Sequence, residues 1–527
     1  MQPVQRVALN TGFLYAKMGI TIFISLYSTR LILGALGVED FGIFNLVGGV
    51  ITMLTFLNNA MAGATQRFMS FAQGMGEMNR QKQIFNVSVI LHILIALIIL
   101  LLLEGAGYFM FNGILKISEE RLDAAKLIYQ FMIVSTLFTI ISVPYDAVIN
   151  AHENMLVFAV LGIVEAVLKL AIAFYILTST YDKLSAYGFL VAALSVFLLL
   201  LRWVYCQYYY AECHLSIRKY YDKPLFKEMT SFAAWSFLGS SSSMLGTYGQ
   251  GIVLNMFFGT VVNAAQGIAG QVSGQLGAFA NTMLKALNPV IAKSEGAGNR
   301  SMMLRASMLG SKISFFLLII FYIPVLIEMP YIFKLWLKNV PDYAVIFCRL
   351  LLVRNLIEQF YATLSNSIAA VGKIKKFQIY SSTLYIIPLI VSYFLFLLHY
   401  PPYVLYLVFL LFSFLSFGIT VYFAHEICEL SIPTYMQTIV FRCLFSFGAI
   451  FLISLIPTIF IADGFIRFFL VVGISSVFFF IVVWLIGLTK EEKANVQHLF
   501  KVVFERSKFL FNQQKQLALN YIKNLHS

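Results

Sequence analysis

Stretches of about 20 predominantly apolar residues follow one another along this chain, each long enough to cross roughly 30 Å of hydrocarbon as a helix. Fourteen such windows are legible: 10–36, 42–66, 84–110, 124–148, 156–179, 185–210, 227–258, 262–290, 304–327, 343–371, 378–398, 403–424, 437–461 and 465–488. In lipid the backbone must satisfy its own hydrogen bonds, which leaves helices or a closed barrel. A barrel would alternate polarity in ten-residue strands, and a soluble protein would carry a polar face on every helix. Most of the windows do neither, and only 12% of residues are charged against about 25% in soluble domains. The expected fold is an all-α polytopic membrane protein with about 14 transmembrane helices.

The chain also repeats itself. Laid over 259–298 at a constant shift of 222, residues 37–76 match at 9 of 40 positions without a gap. Gly37, Gly48, Val50, Leu54, Asn59, Met61, Ala64, Gly74 and Gly76 fall on Gly259, Gly270, Val272, Leu276, Asn281, Met283, Ala286, Gly296 and Gly298. Four of the nine are glycines, so backbone geometry is being repeated rather than greasiness alone. Six windows separate the copies, and an even number keeps both in the same orientation, giving a parallel repeat about an axis along the membrane normal. Two six-helix lobes follow, 1–210 and 227–424, joined by a basic loop at 211–226. Windows 13 and 14, spanning 437–488, have no counterpart.

Lys and Arg set the orientation. With both termini inside, the inner loops, their flanks and the tail carry 22 basic residues and the outer loops six. Both termini are therefore expected in the cytoplasm, with the protein multi-pass in a cell membrane. The net charge of +13 reflects this asymmetry and contact with anionic membrane lipids, not a nucleic-acid partner. Loops 67–83 and 291–303 read as inner loops. The tail 489–527 mixes Lys and Arg with Phe, Leu and Val, the pattern of a basic amphipathic helix on the inner leaflet. Lys17 and Arg30 interrupt the first window, so it reads as a retained helix rather than a signal peptide. Cys206, Cys213, Cys348, Cys428 and Cys443 form no metal spacing and read as buried small residues. No cofactor is expected beyond H+ or Na+ as a coupling ion.

Chemistry should lie where polar groups are costly. A cation at mid-bilayer costs roughly 2.5–3.5 kcal/mol on insertion scales and needs a partner, a route to the interface or a wet cavity. The first window carries Lys17 and Arg30 with Asn10, Tyr15 and several hydroxyls; the seventh carries Ser240–Ser243, Thr247, Tyr248 and Gln250. Their sequels add Asn59 in one lobe and Asn281 with Lys285 in the other. Small residues also pack helices closely, so the serine run fits either a cavity or an interface. Glu165–Lys169 and Arg354–Glu358 are spaced to pair on one helix face. The first pair fits a structural or a functional role, and the second fits a cavity wall, where Glu358 could exchange a proton. His92 and Glu104 read as structural. Excess cations favour an anionic substrate, phosphate or pyrophosphate above all.

Certain motifs carry a resemblance. Asn10-Thr11, Arg30, Leu36-Gly37-Val38-Glu39-Asp40-Phe41-Gly42-Ile43-Phe44-Asn45-Leu46-Val47-Gly48-Gly49, Phe56-Leu57-Asn58, Ala64-Thr65-Gln66-Arg67-Phe68-Met69-Ser70, Val143-Pro144-Tyr145-Asp146-Ala147 and Ala151-His152-Glu153 together resemble bacterial polysaccharide-repeat flippases of the Wzx type. The resemblance is strongest over 9–175. Helix number and the two-lobe repeat are similar to the superfamily of multidrug exporters and lipid II flippases. The resemblance implies a flippase that turns a polyprenyl-pyrophosphate-linked oligosaccharide, an O-antigen or capsule repeat unit, from the inner to the outer leaflet. It implies delivery to a polysaccharide polymerase and a cationic cavity in which Lys17, Arg30, Lys285 and Arg354 contact the head group. Asp40 and its neighbouring glycines then shape an outer turn, while Arg67 and Gly74–Gly76 lie in an inner loop, with a gate as the alternative.

Alternating access about a midplane site is the expected mechanism. The phosphate-cradling G-x-x-x-x-G-K-[ST] loop is missing, which argues against direct ATP hydrolysis. A lipid II flippase and a multidrug exporter share the fold. A polymerase or ligase enzyme would need a large outer loop bearing catalytic groups, and the outer segments are short.

Overall fold

The computed structural model describes residues 3–54, 56–111, 119–336, 340–494 and 497, and within these the side chain of Arg30 and some others stay undescribed. The tail beyond 497 lies outside the described residues, so the amphipathic helix expected there is not addressed. Among the described residues there is no strand. The first half comprises α1 (Pro3–Leu54), α2 (Phe56–Met75), α3 (Met78–Phe109), α4 (Glu119–Ala151), α5 (Met155–Thr178), α6 (Lys183–Tyr209) and the short α7 (Ile217–Tyr220). The second comprises α8 (Lys223–Gly296), α9 (Arg300–Trp336), α10 (Ala344–Val371), α11 (Lys375–Leu397), α12 (Val404–Cys428), α13 (Ile432–Tyr435), α14 (Phe441–Ser454), α15 (Ile456–Phe460) and α16 (Phe465–Val482). Nine helical stretches are long and apolar enough to cross a membrane by length and composition among the described residues; α1, α2, α8 and α10 are absent from that set.

The repeat is written in the backbone. Within α1, Gly37 has φ 77 and ψ 176; within α8, Gly259 has φ 74 and ψ −166. That region is open only to glycine, and in each half it breaks one long helix into two. No loop is needed there, which corrects the expected turn of several residues. Gly76 (φ 74) and Gly298 (φ 70) form the second matched pair, just past the ends of α2 and α8. Their amides donate to equivalent carbonyls, Gly76 to Gln73 at 3.3 Å and Gly298 to Glu295 at 2.9 Å. Four of the five positive-φ glycines among the described residues thus obey the shift of 222, Gly372 being the exception.

The segments read as inner loops are mostly helix. α2 continues to Met75 and α3 starts at Met78, while α8 continues to Gly296 and α9 starts at Arg300. Hydropathy marks where the bilayer ends, and a helix need not end there. This places Gly74 and Gly296 on helices that cross. A Cβ on Gly74 would lie 1.9 Å from the Lys293 carbonyl oxygen, and one on Gly296 would lie 1.9 Å from that of Phe71. Residues 71 and 293 are themselves 222 apart, so the contact is two-fold symmetric. α2 and α8 therefore meet backbone to backbone at their ends.

One compact unit comprises Val7–Leu318 and Lys338–Ile432, which holds both six-helix repeats except the far part of α9. In its first half a core of Ile32, Val47, Ile99, Leu103, Ile128, Ile133 and Leu184 draws together α1, α3, α4 and α6. Beside it, Arg121 at the start of α4 donates from Nε to Asp40 at 2.7 Å and from Nη1 to Asp182 at 2.8 Å. Asp182 caps α6 through the Ser185 amide. Partial burial works to raise the Asp182 carboxyl, but hydrogen bonds from Ser185 and Arg121 prevail and hold it below its ordinary value. Its stabilisation is therefore present above the ordinary pKa of about 3.9 and is lost as pH falls through the lowered value. Arg121→Ala should shrink this acid-side loss, leaving the part that Ser185 supplies, and cost about 1 kcal/mol at neutral pH, read by thermal unfolding at pH 7 and 3.5; identical pH profiles for both proteins would sink the idea.

The other unit comprises the described residues of Met1–Arg6, Ile319–Leu337 and Pro433–Ser527. Its organising contact is buried. Arg467 of α16 donates from Nε and Nη2 to the two carboxylate oxygens of Glu328 at 2.8 and 2.9 Å, and Asp463 adds a further contact. Arg467, one of the six basic residues counted outside, is an internal strut, 10% exposed, and Glu328 is fully buried.

Candidate functional site

The polar helices bring together two distinct sites. The first gathers around Lys17 on α1. Phe158, Gly162, Glu165 and Lys169 recur on one face of α5. The Lys17 ammonium stands 4.3 Å from the Phe158 ring centre. Gly162 leaves room for it, since a Cβ there would fall 2.1 Å from Lys17 Cε. The charges that act on Lys17 are Glu165, Lys285, Asp146 and Arg202.

Both carboxylates in that set have a partner. Arg202 of α6 donates to Asp146 of α4 at 2.8 Å, and Lys169 to Glu165 at 2.7 Å. Neither Lys17 nor Lys285 makes an ion pair among the described residues. Lys17 is half-buried and Lys285 is exposed, and the two act on one another without a carboxylate of their own. Like cations repel, so an anion received between them would be favoured.

Lys17 and Lys285 lie along one contact of α1 with α8, where Tyr15 donates to the Phe279 carbonyl and Thr282 to the Met18 sulfur, and Arg354 lies elsewhere. Arg354 donates to Glu358 at 2.9 Å, lies 5.2 Å from the Phe409 ring centre, and interacts with Tyr361 and Tyr385 in the second lobe. Glu358 neutralises it, so a single cavity of four cations is corrected to a pair plus a separate closed ion pair. Arg30 cannot be placed in either, since its side chain lies outside the described residues.

Other expected residues are also placed. Asn10 is buried and donates to the Glu153 carbonyl at 3.0 Å, and Tyr15 donates to the Phe279 carbonyl at 2.7 Å. Both tie α1 down rather than line open space. Gln250 is buried and bonds its own helix at Gly246. Asn281 is exposed. Asp146 and Arg202 had not been singled out for the site, although an Arg within an apolar helix was the available signal. His92 is buried and bonds the Ser88 carbonyl, as a structural histidine should.

The second site is a cavity of about 690 Å3 in the second lobe. Ser236, Ser240, Ser243 and Thr247 recur at helical spacing on one face of α8, with Tyr248 beside them. Gln378, Ser381 and Tyr385 of α11 face them, and Tyr361, Ser365, Ser416, Thr420 and Asn59 contribute to the wall. None of the lining side chains is charged. The serine run therefore serves both readings. Ser240 and Ser243 line the cavity, while Ser242 is buried against Leu238 and Gly239, Gly246 and Gly249 let α8 approach α11 closely.

A third cluster closes the end where α2 and α8 meet. Lys293 of α8 pairs with Glu153 at 3.2 Å. Arg67 of α2 donates to the carbonyls of Ala369 and Ala370 at 3.1 and 2.6 Å, in the last turn of α10. His152 pairs with the buried Glu212 at 2.5 Å and stacks on Tyr210. Arg67, expected in a loop, is a helical residue that ties α2 to the end of α10.

Residues 5–295 match the polysaccharide biosynthesis protein family. The chain is 29% identical over 119 residues to the uncharacterized membrane protein EpsK of Bacillus subtilis (strain 168), a match spanning 23% of each chain. It is similar to an outward-facing multidrug resistance MATE family transporter of the MOP superfamily, with a TM-score of 0.68 and 14% identity over 81% of this chain and 96% of that one. It is also similar to a MOP superfamily transporter from Pyrococcus furiosus, described by the reverse polarity of its binding pocket. The TM-score there is 0.66 at 13% identity, over 83% of this chain and 98% of that one. These likenesses show the fold expected from the sequence, an all-helical polytopic membrane protein of the two-lobe kind.

Proposed function

The chain belongs to the polysaccharide biosynthesis protein family, and from that premise we propose that it is a flippase for polyprenyl-pyrophosphate-linked oligosaccharide, not an enzyme. The observation that carries this reading is the pair Lys17 and Lys285, two neighbouring cations without a carboxylate of their own. A pyrophosphate is the anion that would satisfy both, accepting charge-assisted hydrogen bonds from each ammonium. The closed contact of α2 with α8 supports alternating access, with the basic loops at that end facing the cytoplasm. On this reading the substrate enters when α2 and α8 part and leaves on the outer side, where a polymerase would take it. A proton or Na+ gradient would drive return, with Glu358 or Glu165 as the carboxylate that exchanges its cation. A drug exporter for organic cations fits less well, because the carboxylates beside Lys17 already hold Arg202 and Lys169.

Transbilayer movement of a labelled polyprenyl-pyrophosphate oligosaccharide in proteoliposomes tests this directly. Lys17→Ala and Lys285→Ala should each slow it about tenfold or more, the equivalent of about 1.5–3 kcal/mol for a hydrogen bond to a charged group. Lys169→Ala, which removes a cation that already has its carboxylate, should change it little. Absence of any movement in folded wild-type protein would overturn the reading.

A further inference from the structure

We propose that the second-lobe cavity is a glycan subsite, taking uncharged sugar residues of the substrate while the Lys17–Lys285 pair takes the anionic linkage. The inference rests on the reading of the substrate as a lipid-linked oligosaccharide and narrows it to a class of sugar.

The cavity has the volume of a small-ligand site, about 690 Å3 within the roughly 300–1,000 Å3 such sites span. Its chemistry is unusual for a membrane helix bundle. Hydroxyls and amides dominate, and each can give and take hydrogen bonds as a sugar hydroxyl does. Several are already oriented. Thr247 donates to the Ser243 carbonyl, Ser365 to that of Tyr361 and Thr420 to that of Ser416, so their lone pairs remain as acceptors for ligand hydroxyls. Gln378 lies close to Gly239, where a Cβ would sit 2.0 Å from its Oε1, which brings its amide to the opposite wall.

Charge narrows the ligand further. An acidic sugar brought here would lose hydration and meet no cation among the lining side chains. Arg354, which acts on the lining Tyr361 and Tyr385, is already paired with Glu358 at 2.9 Å. A cationic drug would likewise find no lining carboxylate. Tyr248, 67% exposed, offers a ring face on which the apolar side of a pyranose can rest. A neutral sugar satisfies every wall.

The test uses the purified full chain in detergent, with saturation-transfer NMR on a panel of neutral trisaccharides (maltotriose, mannotriose, chitotriose) and on trigalacturonate. Broadening of the inorganic pyrophosphate phosphorus line reports the cationic site in the same samples. At least one neutral trisaccharide should be saturated, and Ser381→Leu and Thr247→Leu, on facing walls, should each weaken it about fivefold, the loss of one net hydrogen bond. Both variants should still broaden pyrophosphate, which shows them folded, and Lys17→Ala should show the opposite pattern. No saturation of any neutral trisaccharide while pyrophosphate still broadens would overturn the subsite, as would equal saturation of trigalacturonate. Trisaccharide binding without pyrophosphate binding would uphold the subsite and sink the lipid-pyrophosphate reading instead.

Discussion

Gly296→Ala should keep α2 and α8 from closing on each other and cut translocation to a small fraction of the wild-type rate. The added methyl would need to sit 1.9 Å from the Phe71 carbonyl oxygen, and the two nearest further atoms are also backbone. Backbone on both sides cannot yield as a flexible side chain can, so the helices must separate. Gly74→Ala should do the same from the other side, against Lys293. Gly63→Ala is the control, since nothing lies within 4 Å of that position. Spin labels at Glu77 and Asn299, equivalent exposed sites past the two helix ends, should report a longer distance in both variants and not in the control. Wild-type translocation by Gly296→Ala would show that the close crossing is not required in the cycle.

Glu328→Ala should be the most destabilising substitution in the unit containing α14 and α16. Glu328 is fully buried and Arg467 is nearly so, and they share two parallel hydrogen bonds. Removing one partner of a buried pair leaves the other charge uncompensated, typically at about 3–5 kcal/mol. Asp463 also touches Arg467 but is half exposed, so it offsets only part of that loss. Glu328→Ala combined with Arg467→Met should recover much of the stability, because no buried charge remains. Thermal unfolding in detergent would decide it. An unchanged midpoint in Glu328→Ala would mean that water or Asp463 compensates the arginine fully.

How much of this was legible in the sequence differs by feature. Gly37, Gly74 and Gly76 announced the repeat, because glycine is kept where the backbone needs it and the structure uses these for φ above zero or for close approach. The stretch from Arg67 to Gly74 was misread as a loop because hydropathy registers immersion, whereas α2 keeps its hydrogen bonds into the polar zone. Glu165–Lys169 and Arg354–Glu358 were found because their partners lie one helical turn apart. Asp146–Arg202 spans two helices, and no spacing rule reaches it. Grouping Arg354 with Lys17 failed for a related reason: depth in the membrane can be counted along a chain, but the lobe a side chain faces cannot. The cavity hid inside a run of four serines, of which Ser240 and Ser243, one helical turn apart, face the open space.

The contact of Gly74 with residue 293 and of Gly296 with residue 71 has the form in which one surface binds its own copy. Two identical half-length chains could make it before any fusion joined them. The joining segment after α6 then supplies proximity and not geometry, raising the effective concentration of one half for the other. Two genes, one ending and one beginning within 211–226, should therefore yield halves that find each other in the same bilayer. A duplication that began as a pair of equals would have been free, once covalent, to build most of the hydroxyl-lined cavity in its second half while each half kept one cation of the Lys17–Lys285 pair.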